Sequence, residues 1–273
     1  MTETNELHED NELAPDTEVA VDVAEFDETA GAIVTDETSE AAETGQADES
    51  PTAPETLDPA NDLSDEVRGK LIFAGSVLAP FFLQDPQKGD AKRLFATMAN
   101  VEVDDAAASW PFVGEADARE ALTLMVDGLA DGIDTNELTH EYRRLLIGPN
   151  KKPAPPWGSV YTDQECVIFG LSTLDLRAWM RAHGITRTTD ERTPEDHIGL
   201  LLAMMEWLAQ EKPELVREFL QKHVLTWSSH FLTQFEEAAE HPFYEGLARI
   251  TRLTLEGAQN ELAIDVTYPR YYR

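Results

Sequence analysis

The chain has 273 residues and a formal net charge of −32, which leaves room for one large or two small domains. Such an acidic excess argues against a nucleic-acid-binding protein, because a phosphate backbone requires a basic surface. The single cysteine, Cys166, excludes an internal disulfide and a thiolate metal cluster.

The first ten residues, MTETNELHED, lack the positive and apolar regions of a signal peptide. No segment reaches the roughly 18–20 apolar residues that a membrane span requires. We therefore expect a cytoplasmic protein without stable insertion into a membrane.

Residues 1–63 form an acidic extension. They hold 20 of the 53 acidic residues and neither Lys nor Arg, which leaves residues 64–273 with 33 acidic and 21 basic residues and a net charge of −12. The extension has few large apolar side chains, so burial cannot offset its chain entropy and we predict disorder. Two roles stay open for it: a solubilising extension, or a tail that competes for a charged partner.

Residues 64–273 show the three- to four-residue apolar spacing that is typical of α-helices, without alternating strand patterns. This pattern predicts one all-α domain, and about 210 residues are enough for a sizeable core. The first helix is expected to start at Ser64, and the fourth to stop at Gly148-Pro149. Further starts are predicted at a capping box of Ser172 and Asp175, at Thr193-Pro194, and at Pro213.

A proline-rich loop, KKPAPPWGSVY at residues 151–161, follows the fourth predicted helix. Proline fixes φ and removes backbone donors, so the loop is expected to be stiff and its carbonyls free to accept hydrogen bonds. A rigid loop that carries Trp157 is a candidate binding site, with a simple connector as the alternative. Ser159 lacks the second glycine of a nucleophile elbow, which argues against a catalytic serine.

The pair Asp196-His197 is open to two interpretations. Asp196 can cap the helix that Thr193 begins, with His197 as a boundary residue. Alternatively, the pair forms a polar spot at the mouth of an apolar groove, where the carboxylate suits a cationic ligand and the histidine makes the site pH-sensitive. For His223 and His230 we expect structural roles. We expect Cys166, which precedes Val-Ile-Phe, to be buried.

Several motifs, in this order, resemble the DmsD/TorD family of chaperones for molybdoenzymes that the twin-arginine pathway exports. They are GP…PPWGSVY at residues 148–161, FGLSTL at 169–174, RAWMR at 177–181, PEDH at 194–197 and EHPFY at 240–244.

The resemblance implies an all-helical, non-enzymatic protein without a cofactor of its own. Its partners would be the twin-arginine leader and the apo catalytic subunit of a molybdoenzyme, held back from export until the cofactor is inserted. Cofactor-biosynthesis proteins and translocase components are further expected partners. The resemblance also implies a leader-binding site formed by Tyr142, Leu145, Pro156, Trp157, Ser159, Tyr161, Asp196 and His197.

An alternative function is the binding of a molybdopterin or guanine nucleotide for delivery to the apoenzyme. The sequence has no phosphate-binding loop, and its only dense basic group comprises Arg143, Arg144, Lys151 and Lys152. A further hypothesis concerns the acidic extension. Its charge is opposite to that of a twin-arginine leader, so we hypothesise that it occupies the groove when no client is bound.

Overall fold

The computed structural model describes residues 33–35, 63–148, 151–187 and 193–273. This part of the chain is predominantly helical, which confirms the all-α prediction. None of its helices has the length and apolar character needed to cross a membrane. The α-helices are α1 (Asp65–Leu83), α2 (Ala91–Met98), α3 (Val103–Ser109), α4 (Glu115–Asp127), α5 (Asn136–Tyr142), α6 (Ser159–Thr162), α7 (Leu171–Ala182), α8 (Ile198–Glu211), α9 (Val216–Phe219), α10 (Ser228–Ala238) and α11 (Pro242–Glu261).

Two π-helical segments interrupt the regular helices. Arg143–Ile147 extends α5 toward the proline-rich loop, and Leu220–Val224 extends α9. A short 3₁₀ turn, Pro213–Leu215, precedes α9 and confirms the start predicted at Pro213. Nothing in the apolar periodicity predicted the π segments, which are frequent at functional sites.

The core is built from the longest helices and from aromatic contacts between them. Helix α1 packs along α8, while α11 packs against both α4 and α10. Phe81, Phe95 and Phe243 come from three different helices, and their ring centroids lie 4.9–5.2 Å apart. The predicted start of α1 is confirmed, since Ser64 Oγ accepts a hydrogen bond from the Val67 amide at 3.3 Å.

Two other predicted helix starts are wrong. Helix α7 begins at Leu171 with Gly170 as N-cap, so Ser172 lies inside the helix. Helix α8 begins at Ile198 with His197 as N-cap, and Thr193 to Asp196 form a turn before it. In both places the polar groups that suggested a local cap have partners outside their own helix. Ser172 donates to Asp163, nine residues earlier, and Asp196 accepts from Ser159, 37 residues earlier.

One antiparallel β-pair is present although the sequence predicted no strand. Strand β1 (Ile33–Thr35) comes from the acidic extension and pairs with β2 (Ile185–Arg187), with Val34 opposite Thr186. Strand β2 follows α7 directly, so the pair lies on the segment that leads toward α8. The disorder predicted for residues 1–63 is wrong for β1 and for Leu63, which is buried in the core. The other residues of that range lie outside the described part of the chain.

Candidate functional site

The proline-rich loop is tied to the turn that precedes α8. The Ile198 amide donates to the Pro156 carbonyl at 2.9 Å, and the Gly158 amide donates to the Asp196 carbonyl at 3.2 Å. Trp157 and His197 form the antiparallel bridge between the two segments. The loop and the turn around Asp196 therefore form one structural unit.

Asp196 is a buried carboxylate at the centre of this unit. Its Oδ2 accepts a hydrogen bond from the Ser159 amide at 2.7 Å and so caps α6, 37 residues away. The expectation that Asp196 caps the helix started by Thr193 is therefore wrong. Its Oδ1 is buried and has no hydrogen-bond partner among the described residues.

The electrostatics of Asp196 are set mainly by burial. Burial raises the pKa of Asp196, and the hydrogen bond from the Ser159 amide only partly opposes this. The hydroxyls of Ser159 and Thr173 lie close enough to oppose this rise in pKa as well. Neither hydroxyl makes a hydrogen bond of good geometry. An incoming cation would therefore stabilise an ionised group that the protein leaves half-satisfied.

His197 has a structural role at the start of α8. Its Nδ1 accepts a hydrogen bond from the Gly199 amide at 3.1 Å, and its ring meets Trp157 edge-on at 5.6 Å. Burial lowers the pKa of His197 to about 3, and the cations Arg187 and Lys152 lower it as well. The expectation that His197 makes the site pH-sensitive near neutrality is therefore wrong, because the ring is uncharged there.

Tyr161 and Trp227 form a buried aromatic pair next to the loop. Their rings stack at 5.9 Å with an interplanar angle of 15°. Gly158 lies against Trp227, and a Cβ at this glycine would lie 2.8 Å from the indole ring. The tight approach explains the glycine next to Trp157 in the WGS motif.

A cleft of about 210 Å³ opens between these elements. Its walls come from α6, α7, the turn before α8, the second π segment and the last residues of the chain. The lining residues are Gly158, Thr162, Ser172, Leu176, Asp196, Lys222, His223, Thr226, Trp227, Thr267 and Pro269. The cleft thus combines one buried carboxylate with hydroxyl, aromatic and aliphatic groups. It also contains Lys222, whose ammonium group pairs with Glu218 at 2.5 Å.

An exposed apolar patch lies beside the cleft, on the α6–α7 loop and the first turns of α7. We call it the α7 patch. Leu171 is 67% exposed, and the other members are 40–49% exposed. Large apolar groups concentrated in this way on a protein surface mark interaction sites. The patch comprises Val167, Ile168, Phe169, Leu171 and Leu174.

The backbone of the α7 patch is held in an uncommon conformation. Cys166 and Phe169 have positive φ angles of 51° and 63°, which is rare for residues with a side chain. Asp163 holds the loop, because its carboxylate accepts hydrogen bonds from the amide and hydroxyl of Ser172. Cys166 is only half-buried, so the expected buried thiol is wrong: the apolar residues after it face outward.

The chain is similar to several known proteins. The family model described as "Nitrate reductase delta subunit" matches residues 115–233. A protein of Haemophilus influenzae named "Probable Tat proofreading chaperone DmsD" is 42% identical over 60% of this chain and 79% of its own length. The Salmonella typhimurium "Tat proofreading chaperone DmsD" is 38% identical over 76% of this chain and 97% of its own length. The chain belongs to the DmsD/TorD family. The Escherichia coli "Chaperone protein YcdY" is also similar, at 28% identity over 69% of this chain and 94% of its own length.

The eight residues that the DmsD/TorD resemblance assigns to a leader site divide into two groups. The structure brings six of them together around the loop and cleft: Pro156, Trp157, Ser159, Tyr161, Asp196 and His197. Tyr142 and Leu145 make none of the contacts that join the loop to the Asp196 turn. Both are fully buried, as Ser159 and Tyr161 also are. Tyr142 lies near Asp85, and its pKa is raised by burial and by that carboxylate.

The basic group that would hold a nucleotide is largely engaged within the protein. Arg144 makes a bidentate pair with Glu141, at 2.6 and 2.8 Å. Lys152 is buried and donates to the Gly148 carbonyl at 2.6 Å, and burial lowers its pKa to about 8. The structure therefore gives the nucleotide alternative no specific support. No group of three or more potential metal ligands occurs among the described residues.

Sequence reasoning missed several residues of the site. Asp163 and Trp227 lie outside the motifs on which the prediction rested. Nothing in the sequence pattern predicted that the α7 patch is exposed, because large apolar residues are usually buried. His223 packs against Trp179 and Phe219, with its pKa lowered to about 4, mainly by burial.

Proposed function

We propose that this DmsD/TorD-family protein is a cytoplasmic chaperone that binds the twin-arginine leader of a molybdoenzyme catalytic subunit. Binding would assist cofactor insertion and delay export until the enzyme is mature. The protein would perform no catalysis and would need no cofactor. The observation that carries the proposal is the α7 patch beside a cleft with a buried, half-satisfied carboxylate.

The two parts of a twin-arginine leader match these two features. The leader has a cationic head and an apolar stretch, and an apolar helix binds to an exposed apolar surface. The cationic head would meet Asp196 Oδ1, since guanidinium-to-carboxylate hydrogen bonds are charge-assisted and strong. Ser172 and Leu176 line the cleft, and both lie on the helix whose first turns carry the α7 patch. One extended peptide can therefore contact both features.

Long-range charge also favours a cationic partner. Residues 64–273 have a net charge of −12. Such a field accelerates association with a basic peptide and is screened by salt. Similar fields occur on many acidic proteins, so the charge supports the proposal without identifying the peptide.

Calorimetric titration of the full chain with a synthetic twin-arginine leader peptide tests the proposal. Replacing Leu171 and Leu174 with Gln should weaken binding at least about tenfold, because each leucine loses roughly 1.5–3 kcal/mol of potential apolar burial. Gln is a good helix former, so α7 should persist.

Phe73→Gln is the matched control, because Phe73 is an exposed apolar residue on α1, outside the patch. It should leave the affinity unchanged. Absence of leader binding by the unmodified chain, or equal affinity of the leucine variant and the control, would contradict the proposal.

A further inference from the structure

The last residues of the chain fold back across the candidate site. We call residues 267–273 the strap; they have no regular secondary structure. The Tyr272 amide donates to the Tyr161 carbonyl at 3.0 Å, and the Tyr271 hydroxyl donates to the Thr226 carbonyl at 2.9 Å. The Tyr271 ring stacks on His230 at 4.2 Å, and Thr267 and Pro269 line the cleft.

The proline-rich loop binds the guanidinium of the strap's last arginine. Arg273 Nη2 donates to the Lys152 carbonyl at 2.8 Å and to the Pro153 carbonyl at 3.0 Å. The main-chain oxygen of Arg273 lies 2.7 Å from His230 Nε2, which fixes the strap from the other side. Proline restricts the loop backbone, so these two carbonyls are oriented before any guanidinium arrives.

The strap has the chemistry of a cationic, aromatic peptide. Its sequence, TYPRYYR, contains two arginines, three tyrosines and no acidic residue, in a chain with a net charge of −32. We propose that the Lys152 and Pro153 carbonyls form a guanidinium-binding site, that Arg273 occupies it in the free protein, and that an arginine of the leader replaces Arg273 on binding. This inference rests on the proposed function and adds to it a second arginine site, distinct from Asp196.

The contacts of the strap suit a segment that can be displaced. Arg273 is only half-buried, and Tyr268 and Tyr272 are 53% and 42% exposed. Segments with few buried contacts and irregular backbone open at low free-energy cost. The strap therefore lowers the apparent affinity for a leader by the fraction of time that it occupies the loop.

Titration with a leader peptide should compare Arg273→Ala and Arg270→Ala in the full chain. Arg270 is the matched control: it lies three residues earlier, is exposed, and contacts only the Tyr272 ring within the strap, at 5.4 Å. Arg273→Ala should tighten binding at least about fivefold, because the competing occupant is lost. Arg270→Ala should stay within about twofold of the unmodified chain, since it leaves the carbonyl site filled.

Equal affinity of the two variants would overturn the inference. Weaker binding by Arg273→Ala would also overturn it, because the strap would then be a supporting wall of the leader site.

Hydrogen exchange separates failure of this inference from failure of the proposed function. Leader binding to the unmodified chain should accelerate exchange of the Tyr272 amide, whose acceptor is the Tyr161 carbonyl. If the leader binds and this amide stays protected, the guanidinium exchange is overturned and the proposed function stands. If the leader binds neither the unmodified chain nor either variant, the proposed function fails and this inference fails with it.

Discussion

The two carboxylate oxygens of Asp196 differ in their partners. Its Oδ2 caps α6 through the Ser159 amide, while its Oδ1 has no partner among the described residues. Asn retains an oxygen for the amide and loses the charge, whereas Ala loses both. The carboxylate can therefore be tested as a ligand group independently of its role as a cap.

We predict that Asp196→Asn weakens leader binding about tenfold or more and leaves the melting temperature nearly unchanged. The loss reflects one charge-assisted hydrogen bond, worth roughly 1.5–3 kcal/mol. Asp196→Ala should in addition destabilise the fold by about 1 kcal/mol, which is typical of a lost cap. Calorimetric titration and thermal unfolding measure the two effects. Unchanged binding by the Asn variant would remove Asp196 from the ligand site.

The buried histidines predict how stability depends on pH. The pKa of His197 is lowered to about 3 and that of His223 to about 4, against an ordinary value of 6.5. Below pH 6.5 these two histidines therefore bind protons in the unfolded chain but stay neutral in the folded protein until the pH approaches their lowered pKa values. The stability from each neutral ring is complete above that pH and is lost as the pH falls toward the folded pKa.

We predict that His197→Asn flattens the fall in stability between pH 6 and pH 4. Asn is a good N-cap and does not titrate in this range, so it can replace Nδ1 as the acceptor for the Gly199 amide. The slope removed should approach 1.4 kcal/mol per pH unit. Urea unfolding at several pH values measures it. An unaltered slope would mean that His197 already titrates normally in the folded protein.

At the scale of elements, the α6–α7 connection determines how the α7 patch is presented. Gly170 is the N-cap of α7, and a Cβ there would lie 2.0 Å from Asp163 Oδ2. The close approach allows the Asp163 carboxylate to accept a hydrogen bond from the Ser172 amide. A side chain at position 170 would have to displace that carboxylate.

We predict that Gly170→Ala destabilises the protein by about 1–3 kcal/mol and weakens leader binding, because overpacking shifts the loop that carries the α7 patch. Gly69→Ala is the control: this glycine is exposed inside α1, and a Cβ there meets nothing within 4 Å. The control should stabilise the helix by roughly 0.5–1 kcal/mol. Equal stability of the two variants would show that Asp163 can move without cost.

The helices were predictable from the sequence, but most of the site contacts were not. The apolar periodicity, the cap at Ser64 and the helix start at Pro213 depend on neighbours in the chain, and the predictions made from them are confirmed. The starts predicted at Ser172 and Thr193 failed because Asp163 and Ser159 supply tertiary partners for Ser172 and Asp196. The family motifs located the loop and the Asp196 turn, but nothing local indicated the strap.

At the scale of the whole molecule, the β-pair connects the acidic extension to the part of the chain that holds the candidate site. Strand β1 belongs to the acidic extension, and β2 leads from α7 toward the turn that holds Asp196. Arg187 in β2 donates a hydrogen bond to the Thr193 carbonyl, which links the strand to that turn. The β-pair therefore brings a segment of the extension close to the region where a basic leader would bind.

We predict that deleting residues 1–62 tightens leader binding at low salt, because a competing acidic segment is removed. Leu63 is retained because it is buried in the core, and Ser64 because it caps α1. The gain should be largest near 0.01 M salt and vanish near 1 M, where the Debye length falls from about 30 Å to about 3 Å. Full-length Val34→Pro keeps every charge but disrupts β1, since proline cannot donate to the ladder. If Val34→Pro increases the leader affinity by part of the amount that the deletion does, the β-pair helps to position the extension. Equal affinity of the full and shortened chains at low salt would contradict competition by the extension.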